Sequence, residues 1–215
     1  MKTKKLVITS MMIALATILS LITVFVLPFG GSITPASMMP IVLVAYWYGT
    51  GWGLFSAFVY AIMQMITGMG TVSAFFLPGD SQMALGAAIM ICIIDYILAY
   101  TCLGFAGIFK NKLKSRHREI CFGAITACTL RYIMHIVSGA LFFGAWAQWF
   151  FSDSSGLMQI EFMQGFCKYI MSHSSGAGLS IIYSIIYNGA YMIPEIVITS
   201  IIAPVVAGYI KMSDN

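Results

Sequence analysis

The chain has 215 residues, 60% of them hydrophobic and only 8% charged, with a mean hydropathy of +0.92. Soluble domains carry about a quarter charged residues, so this composition excludes a soluble domain and points to a single integral membrane domain, residues 1–215. The formal net charge of +4 is no signal for nucleic acid, because nearly all the basic residues sit at the ends of apolar segments.

The first predicted membrane helix covers residues 6–27. Lys2, Lys4 and Lys5 precede it as they would a signal peptide. The apolar run is longer than the roughly 7–15 residues of a signal-peptide core, and no A-x-A-like cleavage site follows, so the helix is expected to be retained. Ser10 and Ala14 lie four apart on one face, with Ala16 nearby. Small residues at that spacing let another helix approach closely, whether inside the bundle or from a partner. Pro28 ends the helix, and Gly30, Gly31, Pro35 and Pro40 make residues 30–40 an irregular loop, a turn or a lid. The second helix is predicted over 36–48 and the third over 51–68, joined by a tight turn at Gly49 and Gly51. Residues 69–81 read as a second outer loop.

The fourth helix is predicted over 83–109, with Asp95 near its middle. Lys110, Lys112, Lys114, Arg116 and Arg118 then crowd a short loop, which the positive-inside rule holds in the cytoplasm. The fifth helix covers 119–150, longer than the ~20 residues a span needs, and is expected to tilt, protrude, or bend near Gly139 and Gly144. Residues 151–178 are polar and mixed, with a short amphipathic helix expected over 158–171. The sixth helix covers 179–211 and contains Pro194 and Pro204, both expected to kink it. Nine of the eleven Lys and Arg residues then fall at the N-terminus, in the four–five loop or at Lys211. The expected fold is therefore an all-α, six-helix membrane bundle with both termini cytoplasmic. The five cysteines have no C-x-x-C spacing and read as small apolar fillers.

Polar groups inside these spans carry the functional signal, because a charge in the hydrocarbon region costs at least ~2.5–3.5 kcal/mol. They are Asp95, Arg131, His135 and Glu195, with Asn188 as an amide. Arg131 and His135 are four apart and share one helix face. By rise per residue, Asp95 lies about 18 Å below the outer start of its helix, Asn188 about 14 Å below that of its own, and His135 about 24 Å above the inner start. In a core about 30 Å thick these levels overlap. Tyr183, Phe143 and Trp146 lie above them, and Arg131 lies beneath His135 as a floor. An acid, an amide, an imidazole and several aromatics suit a small aromatic cation. The bland alternative is a ligand-free bundle in which Asn and His hydrogen-bond between helices. A third possibility is an intramembrane enzyme using His135 with Asp95 or Glu195. His135 and Ser138 lie three apart, but the chain lacks a G-x-S-x-G elbow, an H-E-x-x-H zinc pair and a Walker A pattern.

The segments GGSITPASMMPIVLVAYWYG, DYILAYTCLGFAGIF, RYIMHIVSGALFFGAWA and YSIIYNGAYMIPE, in this order, resemble the thiamine-specific substrate-binding subunits of energy-coupling factor (ECF) transporters. The resemblance runs from about residue 6 to 210. It implies a non-enzymatic bundle in a bacterial plasma membrane that binds thiamine from outside, with no metal or resident cofactor. It further implies docking on a separate module of one transmembrane coupling subunit and two ATPases. By motif position, Asp95 and Tyr96 stand on the pyrimidine side, with Tyr183 and Asn188 completing that pocket. His135 and Phe143 bracket the thiazolium, Trp146 adds aromatic surface, and Arg131 stands near the hydroxyethyl end. Residues 30–40 correspond to the lid, and Ser10 and Ala14 to the face offered to the coupling subunit. The chain departs from the family in a longer 151–178 insert and a lid without tryptophan, and Asp95 is one methylene shorter than Glu. A thiamine precursor or analogue is the alternative ligand.

Overall fold

A computed structural model describes residues 2–27, 31–79, 81–152 and 160–210. Helices dominate it. Four helical stretches are long and apolar enough to cross a bilayer by length and composition: Lys2–Leu21, Leu85–Phe109, Arg116–Phe142 and Gly176–Tyr209.

The first, α1 (Lys2–Leu21), stops earlier than its apolar run suggests. The next residues, Ile22, Thr23, Val24, Phe25 and Val26, are β-branched or aromatic and prefer extended backbone. Phe25–Val26 forms β1, which pairs antiparallel with β2 (Ser32–Ile33), Phe25 opposite Ile33. The expected lid thus contributes β2 to a short two-stranded pairing; residues 28–30, between the two strands, lie outside the described residues. Gly31 holds φ +86, and a Cβ there would strike the ring of Tyr191, so glycine is required twice over.

Next, α2 (Met39–Tyr48) is only ten residues long and buried from Met39 to Tyr46. A helix apolar all round belongs inside a bundle, and Val42, Leu43 and Ala45 pack against Ala106, Ala124, Ala203 and Ala207. Helix α3 (Thr50–Thr67) follows. The expected second outer loop contains a further short helix, α4 (Met69–Ala74).

The predicted fourth helix is continuous but not uniform. It begins as α5 (Leu85–Ile91), widens into a π-helical segment over Cys92–Leu98, returns to α6 (Ala99–Thr101), and tightens to 3₁₀ over Cys102–Phe109. The long pair α7 (Arg116–Phe142) and α10 (Gly176–Tyr209) forms the backbone of the fold. Helix α7 is unbroken at Gly139 and ends at Phe142. A 3₁₀ turn (Gly144–Trp146) and α8 (Ala147–Phe151) then replace the last part of the predicted fifth helix. Helix α10 stays helical across Pro194 and Pro204, although neither proline can donate to the carbonyl four residues back. The expected amphipathic helix is present as α9 (Glu161–His173); residues 158–159 of the prediction lie outside the described set. It buries Cys167 and Ile170 against α8 and α10, leaving Phe162 and Tyr169 exposed. All five cysteines are free thiols, three of them buried.

Candidate functional site

One cavity of about 190 Å³ opens between the hairpin and the helices. Its wall is chemically mixed. Asp95, Tyr96 and Tyr100 come from the fourth helical stretch, Arg131, His135 and Gly139 from α7, and Tyr183, Asn188, Tyr191 and Glu195 from α10. Ser20 of α1, Gln64 of α3 and Thr34 after β2 also reach it. The binding residues expected from sequence all lie on the fourth to sixth helices; Ser20 and Gln64 add the first and third, and Thr34 lies within the expected lid. Ser20 and Gln64 are joined by a 2.8 Å hydrogen bond, which ties α1 to α3 at the cavity edge.

Asp95 sits in the middle of the π-helical segment, and both its carboxylate oxygens have partners. Its Oδ1 lies 3.0 Å from His135 Nδ1, and its Oδ2 accepts from the Ser138 hydroxyl at 2.8 Å. His135 Nε2 lies 3.2 Å from Arg131 Nε. Arginine has only donors, so Nε2 must accept and the imidazole proton must sit on Nδ1, facing Asp95. His135 is therefore a neutral relay between a cation and an anion, not half of an ion pair. Arg131 donates its Nη1 to the thioether of Met38 at 2.8 Å and lies 4.1 Å from the ring centroid of Tyr100. Among the described residues no carboxylate lies within ion-pairing distance of it. A buried guanidinium held by sulfur, imidazole and an aromatic face retains much of its field for the cavity.

Asn188 spends its amide between helices. Its Nδ2 contacts the His135 carbonyl at 3.2 Å and the Ser184 carbonyl at 2.9 Å, and its Oδ1 accepts from the Tyr191 hydroxyl at 2.9 Å. The interhelical hydrogen bonding weighed from sequence is thus present, and one lone pair of Oδ1 remains toward the cavity. This contact needs Gly139: a Cβ there would collide with Ser184 Oγ and crowd Asn188 Nδ2.

The aromatic lining is built by edges. Tyr183 packs edge-on to Phe150 at 5.1 Å, Phe143 edge-on to Phe75 at 6.1 Å, and Tyr191 edge-on to His135 at 5.9 Å. Tyr96 stacks on Tyr100 at 6.5 Å. Trp146 stands apart: it is 39% exposed, edge-on to Trp149, and not on the cavity wall. Helix α7 ends at Phe142, so Trp146 no longer follows the helical spacing that carries His135. Seven of the eight predicted binding residues, Asp95, Tyr96, Arg131, His135, Phe143, Tyr183 and Asn188, do line the cavity. Thr34, Tyr100, Tyr187, Tyr191 and Glu195 line it too and were not among them. Tyr191 had a signal, lying three residues after Asn188 and four before Glu195 on one helical face.

With both carboxylates ionised, Asp95, Glu195 and Arg131 sum to one net negative charge in a wall otherwise neutral and aromatic. That combination is chemically compatible with a small organic monocation. A family profile described as thiamine transporter protein (Thia_YuaJ) matches residues 6–152. The chain belongs to the thiamine transporter protein family. The thiamine transporter ThiT of Bacillus subtilis (strain 168) is 25% identical over 210 residues, covering 92% of this chain and 87% of that protein. A solved structure of ThiT from Listeria monocytogenes superposes with a TM-score of 0.65 at 24% identity, covering 97% of this chain and 95% of that one. Within this transporter family the chain is a membrane binding component and not an enzyme.

Proposed function

We propose that the cavity binds thiamine and that the chain is the substrate-binding subunit of an ECF-type vitamin importer. The observation that carries this is the cavity around Asp95, His135 and Arg131, lined by aromatic rings and carrying one net negative charge. Thiamine is a monocation with an aminopyrimidine edge that donates and accepts. The neutral His135 and the aromatic rings offer faces to its thiazolium, and the carboxylates balance its charge. Tyr96, Phe143, Tyr183 and Asn188 supply the remaining surface, and Trp146 has no part in it. In this reading the bundle spans the membrane six times, α2 serving as a short inner helix, with both termini in the cytoplasm. Ser10 and Ala14 are both exposed on α1, which packs inward instead through Thr9 and Ala16. That open small-residue face suits a coupling subunit, with ATP hydrolysed by two further partners.

For the alternative of an intramembrane enzyme using His135 with Asp95 or Glu195, a serine-triad form is disfavoured by connectivity. A Ser–His–Asp triad needs the serine on the imidazole, whereas Ser138 and His135 both bond Asp95, and the distal imidazole nitrogen faces Arg131. Equilibrium titration of the purified chain tests the proposal. Thiamine should change the fluorescence of the four tryptophans saturably and be recovered intact. Consumption of the ligand, or no response to thiamine, defeats it.

A further inference from the structure

Glu195 is the second carboxylate of the cavity wall, and its two oxygens have unequal surroundings. It lies seven residues beyond Asn188 on α10, about 10 Å deeper by helical rise, and is 2% exposed. Its Oε1 accepts from the backbone N–H of Thr34 and from the Thr34 hydroxyl at 2.7 Å. That hydroxyl also lies 2.7 Å from Ser37 Oγ, and having one proton it must accept the second bond. Thr34 directly follows β2, so Oε1 fastens the hairpin to α10. Oε2 is buried and has no hydrogen-bond partner. Three other buried side-chain atoms share that condition among the described residues, in Trp47, Thr101 and Thr199, but none of those residues lines the cavity. Asp95, by contrast, has both oxygens engaged. The nearby cation, Arg131, is directed at His135, Met38 and Tyr100.

Buried acceptors in native proteins are nearly always satisfied, and charged ones most of all. We propose that Glu195 is a ligand-contacting residue. Its Oε2 accepts a hydrogen bond from an N–H or O–H of the bound ligand while Oε1 holds Thr34. One side chain thereby joins the ligand to the hairpin beside the cavity, and a ligand lacking that donor is discriminated against. The inference rests on reading the cavity as a thiamine site, and thiamine offers two such donors: its ring amine and its side-chain alcohol.

The test is a cycle in the full-length chain. Thiamine and two analogues, one with the alcohol and one with the amine replaced by hydrogen, are titrated against wild type and Glu195→Gln. Glutamine keeps the length and an acceptor for Thr34 but places a donor where Oε2 was. One analogue is expected to bind wild type about ten- to a hundredfold more weakly than thiamine, as for a charge-assisted hydrogen bond, and that factor should largely vanish in Glu195→Gln. If both factors are the same in the two proteins, no ligand donor reaches Glu195 and the proposal falls. Should Glu195→Gln not fold, Glu195→Asp, which withdraws the carboxylate by one methylene, takes its place in the same cycle. Thr34→Val supplies an independent arm: thiamine release should quicken severalfold, and an unchanged release rate overturns the link to the hairpin. Failure of wild type to bind thiamine at all is a separate result, against the ligand and not against Glu195.

Discussion

Asp95 and Arg131 show how two opposite charges are kept in one small site without neutralising each other. His135 stands between them, donating to one and accepting from the other. Asp95→Asn should weaken thiamine binding about ten- to hundredfold, because it removes the charge while an amide oxygen can still face Ser138 or His135. Detergent titration measures this, and unchanged affinity would remove Asp95 from the ligand's surroundings. Arg131→Lys should lower thermal stability by about 2 kcal/mol, since an ammonium loses both the planar face over Tyr100 and the fixed Nε donor to His135. A melt unchanged from wild type would contradict that. The spacing of Arg131 and His135, and the common depth of Asp95, His135 and Asn188, were legible in the sequence because they follow from helical rise. Thr34 and Glu195 were not legible as a pair. They are 161 residues apart, and their contact depends on a hairpin that hydropathy reads as the end of a helix.

At the scale of elements, apolar length located every long helix but set the starts of the first, fifth and sixth three or four residues late and ran past the C-terminal ends of the first and fifth. Residues 22–27 are as hydrophobic as the helix before them, and only their β-branching marks the change to strand. The break after α7 is equally silent in hydropathy, since Phe142, Phe143 and Trp146 suit a span. That is why Trp146 was placed in the pocket and lies outside it. The α7–α10 contact is the element on which the site depends, and Gly139 sets its closeness. Gly139→Ala should destabilise the chain by about 1–3 kcal/mol, because the new methyl has to displace Ser184 and Asn188 at a well-packed crossing. A lowered melting temperature together with weaker thiamine binding is expected; an unchanged melt would mean that the two helices separate freely.

For the whole molecule, the described surface of α1 divides by function. Thr9 accepts from the Trp52 indole at 2.9 Å and Ala16 is fully buried, while Ser10 and Ala14 face outward beside Leu6, Met11 and Leu15. Replacing Ser10 and Ala14 together by Leu should leave thiamine affinity as in wild type, because Ser20, the α1 residue at the cavity, lies about 9 Å further along the helix. Co-purification with the coupling module, or uptake by cells, should collapse as bulk blocks close helix approach. Lost thiamine binding with the partner retained would move the docking surface elsewhere. Reporter fusions at the two termini check the orientation: both should read as cytoplasmic, as the basic loop at residues 110–118 requires.

The widened turn at Cys92–Leu98 leaves a trace in the outward stripe of its own helix. The exposed residues Leu85, Ile89 and Ile93 recur every fourth position, and the next, Leu98, comes after five. An ordinary helix turns about 100° per residue, so the extra position works as a phase shift between an upper and a lower rod. Each rod keeps its own clock: one sets which side chains meet lipid above Asp95, the other which meet Arg131 and Gly53 below. Excising a single residue from this segment would bring the two clocks into step. Either Asp95 or the whole of the lower rod would then be swung away from its neighbours, and the chain would trade its carboxylate in the cavity for a plainer helix.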